Sequence, residues 1–216
     1  MNDFDNIPLM NNGHIPNTPP QRADAVANRK RLLETAVSLF AELGVEDVHM
    51  ERIAQEAGVG KGTLYRHFPS KGDLCLTLLE GAFTTFQNEM LAEMRQGVAA
   101  KVSPLDQLAQ FLAGYAQFVE RHMPFICEIQ RGGVDTLKSP GPYAWLRMTI
   151  EGLLQSAVAT DELSHDLDIP FLADMLLAPL TAQFFRFLRE RRGFEHERIS
   201  AGLQTLVYGL ASTEPT

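Results

Sequence analysis

Basic and polar side chains cluster on a short segment in the first third of the chain. The segment from Lys61 to His67 carries lysine, threonine, tyrosine, arginine and histidine, and no acidic residue lies between Lys61 and Lys71. A helix with such a surface can enter the major groove of DNA, where its side chains reach base edges and phosphates. The residue types therefore indicate nucleic-acid contacts at this segment.

A second helical pattern comes directly before this segment. Ile53, Ala54 and Ala57 lie on one side of a short amphipathic helix, and Gly58 interrupts the pattern. Two short helices across a tight turn that contains glycine form a helix-turn-helix motif. The pattern predicts that the second of these helices is the recognition helix of such a motif.

Three sequence blocks carry a resemblance to a known family. The blocks LLETAVSLFAELG, RIAQEAGV and KGTLYRHFPSK occur in this order between Arg29 and Leu74. Together they resemble the DNA-binding domain of the tetracycline-repressor (TetR) family of bacterial transcription regulators. The resemblance covers about the first third of the chain, and the remainder fits the family only in length and all-helical pattern.

The resemblance implies a set of DNA-contacting residues. The first residues of the recognition helix and Arg66 would read bases, with Arg66 forked onto guanine. Tyr65, His67 and Lys71 match positions that hold phosphates, although a polar rim remains an alternative for the first two. His49 stands where the family has Ser or Thr. The predicted set is Arg29, His49, Lys61, Gly62, Thr63, Tyr65, Arg66, His67 and Lys71.

The charge distribution is compatible with this interpretation. The whole chain has a formal net charge of -8, whereas the segment 22–73 has eight basic and eight acidic residues and is neutral. DNA binding depends on local clusters of charge rather than on the isoelectric point of the whole chain. The acidic remainder is expected to repel DNA.

The periodicity of the chain predicts an all-α protein with two domains. We expect a disordered tail over 1–21, a three-helix DNA-binding domain over 22–73, and a larger helical ligand-binding and dimerisation domain over 74–216. Pro124 is expected to end or kink one helix, and Pro179 is expected to kink a helix that runs from about 168 to 192. No alternation typical of strands stands out.

The second domain contains candidate residues for an effector pocket and for a dimer interface. Pockets in helical domains are mostly apolar with a few polar anchors. The candidate pocket residues are Phe86, Phe111, Tyr115, Phe118, His122, Trp145, Arg147, Met148, Met175 and Gln183. The candidate interface residues lie on the last two helical segments, and burial inside one subunit is the alternative for them. They are Phe184, Phe185, Phe187, Leu188, Leu203, Leu206 and Leu210.

No motif points to catalysis, a metal or a cofactor. The six histidines and two cysteines show no metal-ligand spacing, and no Gly-rich phosphate loop or GxSxG motif occurs. The chain shows no export signal, and its longest charge-free apolar stretch is too short to span a bilayer. We therefore expect a cytoplasmic protein that is not an enzyme, has reduced cysteines and binds no membrane.

These observations favour a ligand-responsive repressor. It would bind palindromic double-stranded DNA as a homodimer and would be released by a small apolar or amphipathic effector. One alternative is a DNA-binding regulator without a small ligand, controlled by a partner protein or acting as an activator. The other is a helical small-molecule-binding protein that does not bind DNA. We expect Arg66→Ala to change sequence preference and Lys71→Ala to weaken binding to all sequences.

Overall fold

The structure is a computed structural model that describes residues 20–133 and 140–211. The tail predicted over 1–21 lies outside the described residues except for its last two positions. Among the described residues the secondary structure is helical and contains no strand, so the predicted all-α class is confirmed.

The described residues form α-helices along both parts of the chain. Their bounds are α1 Pro20–Leu43, α2 Met50–Glu56, α3 Lys61–His67, α4 Lys71–Ala99, α5 Pro104–Arg131, α6 Pro140–Ala159, α7 Ile169–Leu177, α8 Ala182–Arg186 and α9 His196–Gly209. The chain divides into two compact units, which we call unit 1 and unit 2. Unit 1 is Met1–Thr85 with Pro124–Thr136, and unit 2 is Phe86–Met123 with Leu137–Thr216.

Two glycines set the turns around α2. Gly44 follows α1 with φ +85° and donates its N–H to the Phe40 carbonyl at 3.0 Å. Gly58 lies between α2 and α3 with φ +63° and donates to the Gln55 carbonyl at 3.1 Å. Positive φ is unfavourable for residues with a Cβ, so glycine at both positions lets the chain reverse without strain.

The core of unit 1 is aromatic and aliphatic. Phe40 of α1, Leu64 of α3 and Phe68 are almost fully buried. Phe125 of α5 completes this core, with its ring centroid 5.8 Å from that of Phe40. Unit 1 therefore extends beyond the segment 22–73, because the last turns of α5 pack against the helix-turn-helix.

Of the two outcomes predicted for Pro124, a helix end and a kink, the helix end is not seen. The α-helix α5 continues through Pro124 to Arg131. Proline removes one backbone hydrogen bond, but Phe125 and Ile129 just beyond it are completely buried in the core of unit 1. This packing holds the helical geometry after the proline.

The helix predicted over 168–192 is broken rather than merely kinked. Pro179 lies in a 3-10 turn, Ala178–Leu180, and Thr181 then adopts an extended conformation with ψ 139°. The chain continues in α8 and in a π-helical turn, Phe187–Arg191, and the two halves meet at 45°. The proline interrupts the hydrogen bonds of the preceding turn, which allows the break at Thr181.

Membrane-spanning potential within 20–133 and 140–211 is confined to this broken segment. No single helix there is long and apolar enough to cross a bilayer. The bent pair Ile169–Leu180 and Ala182–Arg191 meets this requirement only when its two helices are taken together, and only by length and composition.

Candidate nucleic-acid interface and effector region

The third helix presents its polar side chains outward. Leu64 is its only buried residue and anchors α3 to the core of unit 1. Lys61, Gly62, Tyr65 and Arg66 are exposed. The remaining predicted contacts, Thr63 and His67, are half-buried. The surface of α3 is thus available to a ligand as large as a DNA duplex.

A carboxylate on α2 pairs with two side chains of α3. The Glu51 Oε1 lies 3.1 Å from the Lys61 Nζ and accepts a hydrogen bond of 3.2 Å from the Tyr65 hydroxyl. Hydrogen bonding to its own backbone N–H, to Lys61 and to Tyr65 lowers the pKa of the Glu51 carboxyl. Desolvation and the Glu51 contact raise the pKa of the Tyr65 phenol. Both side chains therefore hold their ordinary charge states at neutral pH.

Arg29 and His67 lie beside the end of α3. The Arg29 guanidinium carbon is 5.2 Å from the ring centroid of Phe68, and its Nη2 donates to the Thr77 hydroxyl at 3.4 Å. Desolvation, and then the charges of Arg66 and Arg29, lower the pKa of His67. This histidine is consequently neutral at pH 7, and its buried Nε2 has no hydrogen-bond partner among the described residues.

His49 occupies the N-cap position of α2, as predicted. Its backbone carbonyl accepts hydrogen bonds from the N–H groups of Arg52 and Ile53 at 3.0 and 3.3 Å. Its side chain makes no capping bond and is exposed. The imidazole is therefore left to contact a ligand in front of α2.

Lys71 faces the interior of unit 1, contrary to the expected phosphate contact. Its Nζ donates to the carbonyls of Val45 at 2.8 Å and Val48 at 3.2 Å, with the Glu46 carbonyl at 3.3 Å. The Glu128 carboxylate lies 3.6 Å away, and the Lys71 side chain is 15% exposed. The donors of this ammonium are committed within the protein, so we remove Lys71 from the candidate DNA contacts.

The anchoring of Lys71 involves residues that the sequence analysis missed. Glu128 is shared with Arg131, whose guanidinium lies 3.2 Å away and also contacts the Glu46 carboxylate. Together these charges join the loop after α1, the start of α4 and the end of α5 within unit 1. No local sequence signal connects them, because the partners are far apart in the chain.

An aromatic cluster occupies unit 2. The ring of Phe86 lies 5.1 to 6.2 Å, centroid to centroid, from four other rings. The His122 ring lies 4.3 Å, centroid to centroid, from the Phe118 ring at a tilt of 33°, and its Nδ1 lies 2.8 Å from the Phe118 carbonyl. Burial lowers the pKa of His122. The cluster brings together six predicted pocket residues, namely Phe86, Phe111, Tyr115, Phe118, His122 and Trp145.

The other predicted pocket residues are not part of these ring contacts. Met148 is 70% exposed, and Met175 and Gln183 are also exposed. Arg147 pairs with Glu151 at 2.9 Å and lies 3.4 Å from Asp174. The Asp174 carboxylate also accepts a hydrogen bond from the Tyr143 hydroxyl at 2.7 Å. Helical periodicity alone could not separate the inward residues of α6 and α7 from the outward ones.

The predicted interface residues divide into three groups by exposure. Phe185 and Leu203 are buried within unit 2 and belong to its core, so they are unavailable to a second subunit. Phe184, Phe187 and Leu206 are about half exposed. The rings of Phe184 and Phe187 lie 5.9 Å apart. Leu188 and Leu210 are half-buried. An exposed aromatic surface on α8 and the π-helical turn is available for association.

Within 20–133 and 140–211, no three His, Cys, Asp or Glu side chains come together in a way that could hold a metal ion.

Comparisons of sequence place the chain among known regulators. A sequence profile for bacterial regulatory proteins of the tetR family matches residues 32–78. The HTH-type transcriptional regulator SAR2658 of Staphylococcus aureus is 31% identical over 179 residues, which cover 82% of this chain and 90% of that protein. The HTH-type regulator SAB2452, also from S. aureus, is 52% identical over 65 residues, but the match spans only 30% of this chain and 35% of the relative.

Solved structures show the same fold. A TetR-family transcriptional regulator from Pectobacterium atrosepticum matches with a TM-score of 0.69 and 20% identity, over 89% of this chain and 98% of that chain. A transcriptional regulator from Saccharomonospora viridis in complex with choline matches with a TM-score of 0.63 and 20% identity, over 87% and 100% of the two chains.

A helix-turn-helix with an outward basic helix, joined to a larger helical region, defines a DNA-binding transcription regulator. The similarity to SAR2658, which extends over most of both chains, shows the family of regulators: the chain belongs to the TetR family of bacterial regulatory proteins. Members of this family are regulators and not enzymes, which confirms the expectation drawn from the missing catalytic motifs.

Proposed function

We propose that the protein is a homodimeric, ligand-responsive repressor that binds a palindromic operator in the bacterial cytoplasm. The observation that carries this proposal is the orientation of α3, which exposes Lys61, Tyr65 and Arg66 and buries Leu64. Only this orientation lets the basic side chains reach a DNA groove while the helix stays anchored to its domain.

Within this proposal, Arg66 reads a guanine and the start of α3 reads neighbouring bases. An exposed arginine can donate two parallel hydrogen bonds to the O6 and N7 of guanine. Gly62 has open space at the position of a Cβ, so the backbone there can approach a base closely. The contacts assigned to phosphates are Arg29, His49, Tyr65 and His67.

Binding assays with Arg66→Ala test the DNA-binding part. We would select bound duplexes from a random library with the wild-type protein, and then measure the affinity of each protein for that operator and for random DNA. Loss of one good base contact is expected to weaken operator binding by ~1–3 kcal/mol and to relax preference at one position per half-site. Wild-type selectivity in the variant would contradict the assignment of α3.

Dimerisation is proposed to use exposed apolar side chains of α8, of the π-helical turn Phe187–Arg191 and of α9. The three side chains are about half exposed, and they are Phe184, Phe187 and Leu206 respectively. Self-association through a two-fold axis would bury this apolar surface and would place two copies of α3 before one duplex. Half-site centres would then lie about one helical turn, ~10 bp, or a multiple of it apart.

The effector is proposed to be a small apolar or amphipathic molecule bound at the aromatic cluster of unit 2. The rings around Phe86 already touch one another, so a ligand that binds among them must separate them. Such a change of packing in unit 2 could change the geometry of the dimer. The choline complex of the S. viridis regulator supports a ligand site in this fold. A ~100-fold change in DNA affinity needs only ~3 kcal/mol of discrimination between two states.

Fluorescence gives a direct test of the effector site. Trp145 is the single tryptophan of the chain and lies 5.8 Å from Phe111, centroid to centroid. A compound from a thermal-shift screen that releases operator DNA is expected to change the emission of Trp145 over the same concentration range. If no compound does both, the alternative without a small ligand would be favoured.

A further inference from the structure

An acidic side chain lies within the basic surface that the proposed function assigns to DNA. Glu51 is in the first turn of α2, and its side chain is 50% exposed. Its contacts to Lys61 and Tyr65 place the carboxylate beside two residues that are one helical turn apart on α3. If α3 enters a groove, the Glu51 carboxylate must enter the interface with it.

A carboxylate in this place interacts very differently with different base pairs. The DNA phosphates repel it, and so do the major-groove acceptors of guanine and thymine. Adenine offers an amino donor next to the N7 acceptor, whereas the cytosine edge offers only the N4 amino donor. Cytosine is therefore the base whose hydrogen-bond donor best offsets the repulsion that a carboxylate meets in the groove.

The pairing of Glu51 with Lys61 also weakens non-specific attraction. Non-specific binding comes from the release of counterions when lysines and arginines neutralise phosphates. The Lys61 ammonium is 3.1 Å from the carboxylate, so the pair brings little net charge to the DNA backbone. Removal of the carboxylate would leave this ammonium free to contact a phosphate on any sequence.

We infer that Glu51 is a specificity-determining residue: its carboxylate accepts a hydrogen bond from cytosine N4 in each half-site and disfavours duplexes that present an acceptor there. This inference rests on the proposed function, because it requires α3 to lie in the major groove. It assigns to α2 a part of the sequence readout that the resemblance placed on α3 alone.

The test compares full-length Glu51→Gln with Glu56→Gln. Glutamine keeps the shape of the side chain and removes its charge. Glu56 is an exposed residue on the same helix and forms no ion pair within the described ranges, so its variant controls for the change in net charge. Each protein is titrated with the selected operator and with random duplex of equal length at several salt concentrations, and each is used to select from the random library.

Glu51→Gln is expected to bind random duplex ~3- to 10-fold more tightly, with a salt slope steeper by up to ~1, because Lys61 becomes free for phosphate. The ratio of operator affinity to random affinity is expected to fall on the order of tenfold. The preference for cytosine at one position per half-site is expected to weaken and to shift toward adenine, because the glutamine amide oxygen still accepts from a base amino group and its N–H can donate to adenine N7. Glu56→Gln should keep the wild-type ratio and preference.

The outcomes separate this inference from the proposed function. Absence of sequence preference in the wild type, or wild-type selectivity of Arg66→Ala, overturns the proposed function itself. If those proteins behave as proposed while Glu51→Gln keeps the ratio and base preference of Glu56→Gln, only the inference is overturned. An equal weakening on both duplexes with a lower melting temperature would show that Glu51 merely supports the fold, which also overturns it.

Discussion

Substitution of Lys71 by alanine discriminates sharply between a DNA contact and an internal anchor. The ammonium donates to the carbonyls of Val45 and Val48 and lies 3.6 Å from Glu128, and both charged side chains are about 15% exposed. Hydrogen bonds to a charged group contribute about 1.5–3 kcal/mol, and the loss of one partner of a fully buried ion pair costs about 3–5 kcal/mol. Glu128 keeps Arg131 at 3.2 Å. We therefore expect Lys71→Ala to lower the free energy of unfolding by about 2–3 kcal/mol.

Thermal and denaturant unfolding measure this loss of stability, and DNA titrations measure the effect of the substitution on operator affinity and its salt dependence. A loss of this size lowers the melting temperature by about 5 to 10 °C in a protein of this length. Well below the melting temperature, the variant is expected to bind operator with the wild-type salt slope, because its ammonium contacts no phosphate. Lys30→Ala is the matched control, since Lys30 is 64% exposed and its ion pair among the described residues is an i,i+4 pair with Glu34. It should change stability by less than about 0.5 kcal/mol.

The opposite pattern would refute this reasoning. A Lys71→Ala protein that melts like the wild type, and whose binding is weaker on every sequence with a shallower salt slope, would mean that the ammonium turns outward to DNA. The double variant with Glu128→Gln adds a second check. The two changes should be less than additive if the side chains interact in the folded protein.

Three further outcomes are expected. Burial and the charges of Arg66 and Arg29 lower the pKa of His67 in the folded state. The unfolded chain therefore binds this proton more readily, so the folded protein loses stability as the pH falls below about 6.5. Phosphates favour the protonated ring, so DNA affinity measured by fluorescence anisotropy should rise from pH 7 to about pH 5.5 more steeply in the wild type than in His67→Gln. Phe187→Glu should shift sedimentation toward the monomer and leave the melting of unit 1 unchanged, whereas full dimerisation of this variant would exclude the π-helical turn after α8 from the interface. Burial raises the pKa of the Cys75 thiol to about 12, so a maleimide reagent at pH 7 should modify the folded protein no faster at Cys75 than global unfolding permits.

The helix-turn-helix could be predicted because its signals are local. Gly58 supplies the positive φ of the turn, and the predicted bounds of α3, Lys61 to His67, match the structure. Ser70 caps the next helix, since its hydroxyl accepts from the Asp73 N–H at 3.1 Å. Each of these features depends on neighbours within a few residues, which a sequence displays directly.

The direction of a charged side chain could not be predicted in the same way. Lys61 and Lys71 are both lysines at the ends of a basic segment, yet one is 64% exposed and the other is mostly buried. The difference comes from Glu128 and from the loop carbonyls after α1, which only the tertiary structure brings to Lys71. Likewise, α5 continues past Pro124 because residues distant in sequence cover its last turns.

The basic residues of the neutral segment 22–73 differ in whether they are paired with carboxylates. Lys30 and Lys61 pair with carboxylates on the surface, and Lys71 is held in the interior. Arg66 forms no ion pair within the described ranges, and Arg29 contacts an aromatic ring and a hydroxyl there. Since counterion release follows the number of phosphates neutralised, these three paired lysines add little to non-specific affinity. An acidic residue beside the recognition helix then improves discrimination, because it withholds the Lys61 ammonium from the phosphates of any sequence.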